Sequence, residues 1–143
     1  MSLNVNCCGL QFKNPLILAS GYLGVTGASL ANVAKNGAGG VTSKTLFMEE
    51  RIGYPNPTSL TFPGGLISAM GLSGEGVKNA KAEFETYRKL SPHCHILGSV
   101  GGKTLKELVE CAEIMDSYPV DLIELNLSCP SGTDEKDLPF SCD

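Results

Sequence analysis

An amide, a hydroxyl and a thiol stand close together near the end of the chain, at Asn126, Ser128 and Cys129. They follow the run 120–125, which reads as a buried strand, and Pro130 then starts a loop. Catalytic side chains of parallel α/β sheets lie at such strand ends. A thiol at the mouth of a site can reach one substrate carbon and act as a general base. Cys129 is therefore a candidate acid/base, against the alternative of a buried cysteine in a strand-end turn.

Two further segments end predicted strands with residues suited to ligand binding. Lys44 can either extend to solvent or offer a cation to an anionic ligand. The small residues 19–21, Ala-Ser-Gly, allow a flat cofactor to approach the backbone and hydrogen-bond to it. The glycines at 64–65 and at 71 and 74 have neither Walker nor dinucleotide-binding spacing, so we interpret them as tight turns.

The elements that must position these residues alternate between strands and helices. Thr104 with Glu107 predicts a capping box at the start of one helix. Segment 46–74 is rich in Gly, Pro and Ser without a period, and connections this long are often active-site loops. The sequence predicts an N-terminal hairpin over 3–12 with Gly9 at its turn, strands at 16–20, 40–44, 95–100 and 120–127, and helices at 29–35, 77–87 and 105–115.

This alternation predicts an α/β fold with a parallel sheet. An open four-stranded sheet fits the length of 143 residues. The other architecture that fits is the first four strands of a (β/α)8 TIM barrel, since a complete barrel needs about 250 residues. In the last strand Leu122, Glu124 and Asn126 share one face, and Ile123, Leu125 and Leu127 share the other. We expect residues 1–143 to form the N-terminal half of a barrel, with the polar face inward and the apolar face toward outer helices.

Composition narrows the function classes. A net charge of −4 without a Lys/Arg cluster argues against nucleic acid and anionic membranes as partners. No apolar run has the length of a membrane span and no signal segment is evident, so we expect a cytoplasmic protein. The six cysteines include no CxxC pair, so we expect reduced thiols and no metal site. Four of them are interpreted as structural: Cys7, Cys8, Cys94 and Cys111.

Taken together, the motifs resemble the dihydroorotate dehydrogenase family. The stretch Glu-Leu-Asn-Leu-Ser-Cys-Pro at 124–130 is highly specific, and the other segments support it in the family's order and spacing. The likeness runs from about residue 3 to the end of the chain. The supporting segments are Lys13-Asn-Pro15, Ala19-Ser-Gly21, Ser43-Lys-Thr45, Arg51-Ile-Gly53 and Ala69-Met-Gly-Leu72.

The resemblance implies an FMN-binding barrel that oxidises dihydroorotate to orotate in pyrimidine biosynthesis. Cys129 would remove a proton from a ring carbon while hydride passes to the flavin, and a cysteine there resembles the soluble branch of the family. Lys44 would touch flavin and the substrate carboxylate, and Asn126 would hydrogen-bond both. The implied flavin-binding residues are Ala19, Ser20, Gly21, Lys44, Thr45 and Asn126, and the implied substrate-binding residues are Lys44, Ser68, Ala69, Met70, Gly71, Leu72 and Asn126.

The chain also departs from the family pattern. Ser68 and Ser131 stand where the family usually has asparagines that bind the pyrimidine edge. The run Gly53-Tyr-Pro-Asn-Pro replaces the usual Gly-Asn-Pro, and Thr58 falls where an arginine is common. A related FMN barrel of the dihydropyrimidine dehydrogenase type also uses Asn-Leu-Ser-Cys-Pro and is the alternative enzyme. The alternative outside the enzymes is a half-barrel that catalyses no reaction.

The predicted half-barrel has consequences for cofactor and partners. Barrel enzymes generally hold a phosphate after strands seven and eight, so we expect weak FMN binding by these residues alone. Open strand edges favour association, and we expect a homo-oligomer. The sequence does not determine the electron acceptor. The three alternatives are fumarate, a quinone, and a nicotinamide that is reached through a second subunit with an iron–sulfur cluster and a flavin.

Overall fold

The computed structural model describes residues 2–129 and residue 140. Pro130 and Ser131 lie outside the described residues. The helices are α1 (Gly27–Lys35), α2 (Lys81–Leu90) and α3 (Leu105–Asp116), with a 3-10 turn at Val77–Asn79 before α2. The strands are β1 (Val5–Cys7), β2 (Leu10–Phe12), β3 (Ile17–Leu18), β4 (Gly40–Thr42), β5 (Ser59–Phe62), β6 (Gly65–Ser68), β7 (His95–Val100) and β8 (Leu122–Leu125).

Four strands form the predicted parallel sheet, in the order β3-β4-β7-β8. Each strand therefore pairs with the next sheet strand along the chain, which is the arrangement of consecutive strands in a (β/α)8 barrel. Gly40 stands in register between Ile17 and His95, and Leu97 pairs with Leu122. All four carboxyl ends consequently meet at one edge of the sheet, where α/β enzymes place their sites.

The helices pack on one face of this sheet and bury the core there. Tyr87 of α2, Val41 and Ile96 of the sheet, and Cys111 and Met115 of α3 are completely buried. Helices α1 and α2 approach closely at Gly27, where an added Cβ would collide with the Glu83 carbonyl oxygen. The Glu83 carboxylate also accepts a hydrogen bond of 2.6 Å from the Gly27 amide, which places negative charge at the start of α1.

Helix starts differ slightly from those predicted. Helix α1 begins two residues before Ser29, because Thr26 and Ser29 form a reciprocal capping box. At α3 the Glu107 amide donates to Thr104 Oγ1 at 3.2 Å, as predicted. The Glu107 carboxylate instead accepts from the Lys103 amide at 3.0 Å, one residue before the cap.

The segment 46–74 contains structure that the sequence analysis did not predict. Strands β5 and β6 form an antiparallel hairpin closed by Pro63 and Gly64, and Arg51 bridges to Gly74 at its base. Gly64 has φ +94, a conformation that glycine adopts without strain. The Pro-Gly pair is a turn signal, but the flanking strands are only four residues each and weakly alternating.

Two expectations about packing were wrong. Cys94 and Cys111 are buried as predicted, but Cys7 and Cys8 are exposed because they lie at the turn of the N-terminal hairpin. Ile123 packs against the core as expected. Leu125 and Leu127 are 47% and 39% exposed, because both line the open cleft at the carboxyl end of β8. Within the described part of the chain, no helix is both long and apolar enough to span a membrane.

Candidate active site

A cleft of about 500 Å³ opens at the carboxyl edge of the parallel sheet. Its size lies within the range typical of small-molecule and cofactor sites, about 300–1,000 Å³. It brings together residues from β3, β4 and β8 that are far apart in sequence. The lining residues are Ala19, Ser20, Gly21, Lys44, Thr45, Leu72, Glu124, Leu125, Asn126, Leu127, Ser128 and Cys129.

Thr45 is the centre of a hydrogen-bond network on the floor of this cleft. Its hydroxyl lies 3.0 Å from Ser20 Oγ and 2.9 Å from Ser99 Oγ, and it accepts from Asn126 Nδ2 at 3.2 Å. A hydroxyl donates one hydrogen bond and accepts two. These three partners therefore use its whole capacity, and the network ties β3, β4, β7 and β8 together at the site.

Asn126 connects this network to the candidate base. Its Oδ1 accepts from the backbone amide of Cys129 at 3.2 Å, while its Nδ2 donates to Thr45. Rotating the amide by half a turn would face Nδ2 toward the Cys129 N–H and oppose two donors, so the network fixes one orientation. Each amide atom retains capacity for one more hydrogen bond, which a ligand in the cleft can use. The backbone of Asn126 is itself held by Val100, whose carbonyl accepts from its N–H at 2.8 Å.

Lys44 is the cation of the site and is only 7% exposed. Its backbone amide donates to Gly24 at 2.8 Å, which fixes the residue after β4. Burial lowers the pKa of Lys44 from its usual value, and the nearby Cys129, when charged, opposes that change. The ammonium group therefore lies where a ligand anion would relieve its incomplete solvation. Lys44 also lines a second cavity of about 250 Å³ that contains Glu75 and Glu83.

The predicted substrate wall is only partly assembled at this cleft. Leu72 lines it, whereas Ser68, Ala69, Met70 and Gly71 are not among the lining residues. Ser68 ends β6, where its Oγ accepts from Ser59 Oγ at 3.2 Å across the hairpin. The assignment of residues 68–71 to the substrate therefore stays a prediction.

Ser99 belongs to the hydrogen-bond network of the site but was not singled out from the sequence, whereas Glu124 lines the cleft as its place on the polar face of the last strand predicts. Ser99 is completely buried, and its amide donates to Ser43 Oγ at 3.0 Å. It pairs with Glu124 in the β7–β8 register, and both stand one residue before the end of their strands. A polar residue inside an otherwise apolar strand was the available signal.

An ion-pair cluster lies at the opposite edge of the sheet and is structural. Asp121 Oδ2 lies 2.6 Å from Arg88 Nη2 and 3.4 Å from His95 Nδ1, and accepts from the Ile96 amide at 2.8 Å. Burial opposes the charged form of Asp121, but the Ile96 amide and Arg88 outweigh it, so the pKa of this carboxyl is lowered. The cluster anchors α2 to the starts of β7 and β8.

The cleft has the features that FMN requires of these residues. An added Cβ at Gly21 would meet no atom within 4 Å, so a flat ring has space beside this backbone. Ser20 and Asn126 supply neutral hydrogen-bonding groups there, Thr45 holds both of them in place, and Lys44 supplies a positive charge. Among residues 2–129 and 140, no group of three or more His, Cys, Asp or Glu side chains is arranged to hold a metal ion.

Comparison with solved structures identifies the fold as the α/β barrel type of dihydroorotate dehydrogenases. The chain superposes on the Eimeria tenella enzyme in complex with ferulenol with a TM-score of 0.76 at 25% identity, covering 90% of this chain and 37% of that one. A ligand-free structure of the Eimeria tenella enzyme gives a TM-score of 0.77 at 24% identity, covering 92% and 40%. The described sheet is thus part of a barrel.

The sequence comparisons identify the family to which the chain belongs. The family profile for dihydroorotate dehydrogenase matches residues 2–139, and the chain belongs to this family. It is 45% identical over 130 residues to the catalytic subunit of dihydroorotate dehydrogenase B (NAD(+)) from Methanocaldococcus jannaschii, over 90% of this chain. It is 44% identical over 128 residues to the corresponding subunit from Pyrococcus abyssi. The chain spans 42% of the length of each of these two relatives.

Proposed function

We propose that this chain supplies the Cys129 side of the active site in an FMN-dependent enzyme that oxidises dihydroorotate to orotate. The observation that carries the proposal is the linked set Thr45–Asn126–Cys129, which joins a candidate cofactor floor to a candidate base through two hydrogen bonds of 3.2 Å. Family membership and the dihydroorotate dehydrogenase activity for which the relatives are named support it.

The roles follow from the chemistry of each group. Oxidation of the dihydropyrimidine ring removes one proton and one hydride from adjacent carbons. The Cys129 thiolate accepts the proton, because it lies at the cleft with its backbone held by Asn126. Bound FMN supplies the hydride acceptor. Lys44 pairs with the carboxylate of the substrate, and its burial strengthens that attraction relative to a solvated lysine.

The cofactor floor consists of neutral groups held by the protein. Ser20 and Thr45 hold each other at 3.0 Å, and Gly21 leaves the backbone open to a ring. Asn126 retains hydrogen-bonding capacity toward both cofactor and substrate. A preorganised set of this kind needs no rearrangement when charge moves during the reaction.

The relatives' names support a proposal about partners. They are catalytic subunits of an NAD(+)-type enzyme, so we propose that electrons leave this protein through a separate electron-transfer subunit. We further propose a cytoplasmic homo-oligomer that binds neither nucleic acid nor membrane, in line with the net charge of −4.

A second substrate within the same class is favoured by one observation. Ser68 and Ser131 replace two amides of the family pattern, and Ser68 pairs across a hairpin instead of lining the cleft. A related reduced pyrimidine, as in barrels of the dihydropyrimidine dehydrogenase type, is therefore the alternative substrate.

One spectroscopic experiment tests both possibilities. The longest product of the reading frame that encodes these residues is loaded with FMN and mixed anaerobically with dihydroorotate or, separately, with dihydrouracil, and the visible flavin band is recorded. Bleaching by dihydroorotate alone is the expected result. Bleaching by dihydrouracil alone would replace the proposed substrate with the alternative. A band that survives both compounds, yet is bleached by dithionite, would contradict the proposed reaction.

A further inference from the structure

The tip of the N-terminal hairpin presents two adjacent thiols to solvent. Cys7 ends β1, pairs with Leu10, and is followed by Cys8 and Gly9 as the two turn residues. Both thiols are exposed, whereas Cys94 and Cys111 are buried. The two sulfur atoms lie 3.9 Å apart, with the Cys7 thiol donating to Cys8. Neither group takes part in the cleft described above.

The turn geometry is what brings the two thiols together. Consecutive side chains of a strand point to opposite faces, which would separate neighbouring sulfur atoms. Cys8 has φ +50 and Gly9 has φ +79, the backbone of a tight hairpin turn that favours Asn, Asp or Gly at its first position. The positive φ at Cys8 breaks the strand alternation and places both thiols on one side.

The spacing suits a bound ion better than a disulfide. Adjacent Cα atoms lie about 3.8 Å apart across a trans peptide. Disulfides normally need Cα atoms about 4.4–6.8 Å apart, so bonding Cys7 to Cys8 would be strained. Two thiolates about 2.3 Å from a tetrahedral zinc-type ion lie about 3.8 Å from each other, close to the separation observed here. The sulfur–sulfur separation therefore matches two corners of a tetrahedral coordination sphere.

We propose that Cys7 and Cys8 form a bidentate site for a soft divalent cation of the zinc and cadmium class. Binding replaces two S–H protons by two metal–sulfur bonds and releases both protons to solvent, with no change of oxidation state. Water or small solutes complete the coordination sphere at this exposed position. Thiolate sulfur selects such ions over the harder calcium and magnesium.

The test uses Cd²⁺, because sulfur-to-cadmium charge transfer gives an ultraviolet band that magnesium and oxygen ligands do not produce. The protein carries Cys129→Ser and Cys142→Ser, so that neither of those thiols contributes. We expect one Cd²⁺ per chain. Cys7→Ser and Cys8→Asn should each weaken binding at least about 100-fold, since the advantage of two linked ligands is lost. Asn6→Ser, which keeps both thiols in the same hairpin, is the matched control and should bind like the parent.

Folding of the variants is checked in the same samples. Asparagine accepts positive φ, so Cys8→Asn should keep the turn, and Cys8→Gly provides a second variant that accepts it. Cd²⁺ should raise the melting temperature of the parent and of Asn6→Ser but of neither folded Cys8 variant. Equal Cd²⁺ affinity in the parent and in a folded Cys8 variant would overturn the proposal, as would a parent that shows no charge-transfer band.

Discussion

Asn126 Nδ2 donates to Thr45 Oγ1 at 3.2 Å across 81 residues of sequence. This bond joins the end of β8 to the end of β4. The same amide accepts from Cys129, so the position of the candidate base depends on a hydroxyl from a different strand.

Thr45→Val keeps the shape of the side chain but removes the hydroxyl that Ser20, Ser99 and Asn126 share. Ser99 is completely buried and would lose its side-chain partner, so we expect the free energy of unfolding to fall by about 1–3 kcal/mol. FMN affinity should fall as well. Denaturant titration and flavin fluorescence measure the two effects. Thr61→Val, at an exposed position on β5, is the matched control and should change neither.

Cys129→Ser replaces the proposed base with a much weaker one. We expect flavin reduction by dihydroorotate to slow by at least about tenfold, a conservative bound for loss of a general base. Substrate affinity should change little, because the backbone amide that binds Asn126 is retained. Anaerobic stopped-flow spectroscopy of the flavin band gives both quantities. An unchanged limiting rate would remove Cys129 from the proposed mechanism. Cys94→Ser removes a buried thiol that does not line the cleft, and it is the control for general loss of a thiol.

Lys44→Gln tests the proposed role of the ammonium group in binding a carboxylate. Removing the charge should weaken orotate binding by at least about tenfold, in line with about 1.5–3 kcal/mol for a charged hydrogen bond. The pKa of Lys44 is lowered from 10.5, so its charge is lost earlier than that of an ordinary lysine as pH rises. Orotate affinity of the parent should therefore decline on the alkaline side, while the Lys44→Gln variant stays flat there. Equilibrium titrations with orotate at several pH values measure this affinity. A parent whose affinity does not decline on the alkaline side would contradict the proposed role of Lys44.

Asp121→Asn tests the ion-pair cluster at the far edge of the sheet. We expect a loss of about 1–3 kcal/mol at neutral pH, because Arg88 and His95 lose the carboxylate. The folded-state pKa of Asp121 is lowered from 3.8, so its contribution is present above the unfolded-state pKa and is lost as pH falls through the folded-state value.

The pH dependence of that variant is therefore part of the prediction. Parent and Asp121→Asn should differ fully at pH 7 and converge as the pH drops below about 4. Denaturant titrations at several pH values measure the difference. Asp116→Asn, at an exposed position at the end of α3, is the control and should stay within about 0.5 kcal/mol of the parent. A difference of constant size at every pH would contradict the assignment of the effect to the carboxylate.

Local sequence was sufficient for the elements with strong periodic patterns. Strand β7 at 95–100 matches its prediction, and the Thr104 cap and the alternation of strands and helices are confirmed. Hydrophobic periodicity and capping depend on neighbouring residues only, so a single sequence carries them. The motif around Cys129 could also be recognised from the sequence alone, because its residues are contiguous.

The tertiary structure decided what depends on distant residues. It brought the Ser99 hydroxyl within 2.9 Å of the Thr45 hydroxyl and left residues 68–71 outside the cleft lining. It folded residues 59–68 into a hairpin whose strands are too short for a clear period. It also exposed Cys7 and Cys8, against the general tendency of cysteine to be buried. The sequence by itself determined which groups stand at the strand ends. Only the strand order and register determined which of them share a cleft, because those contacts join residues up to 81 positions apart.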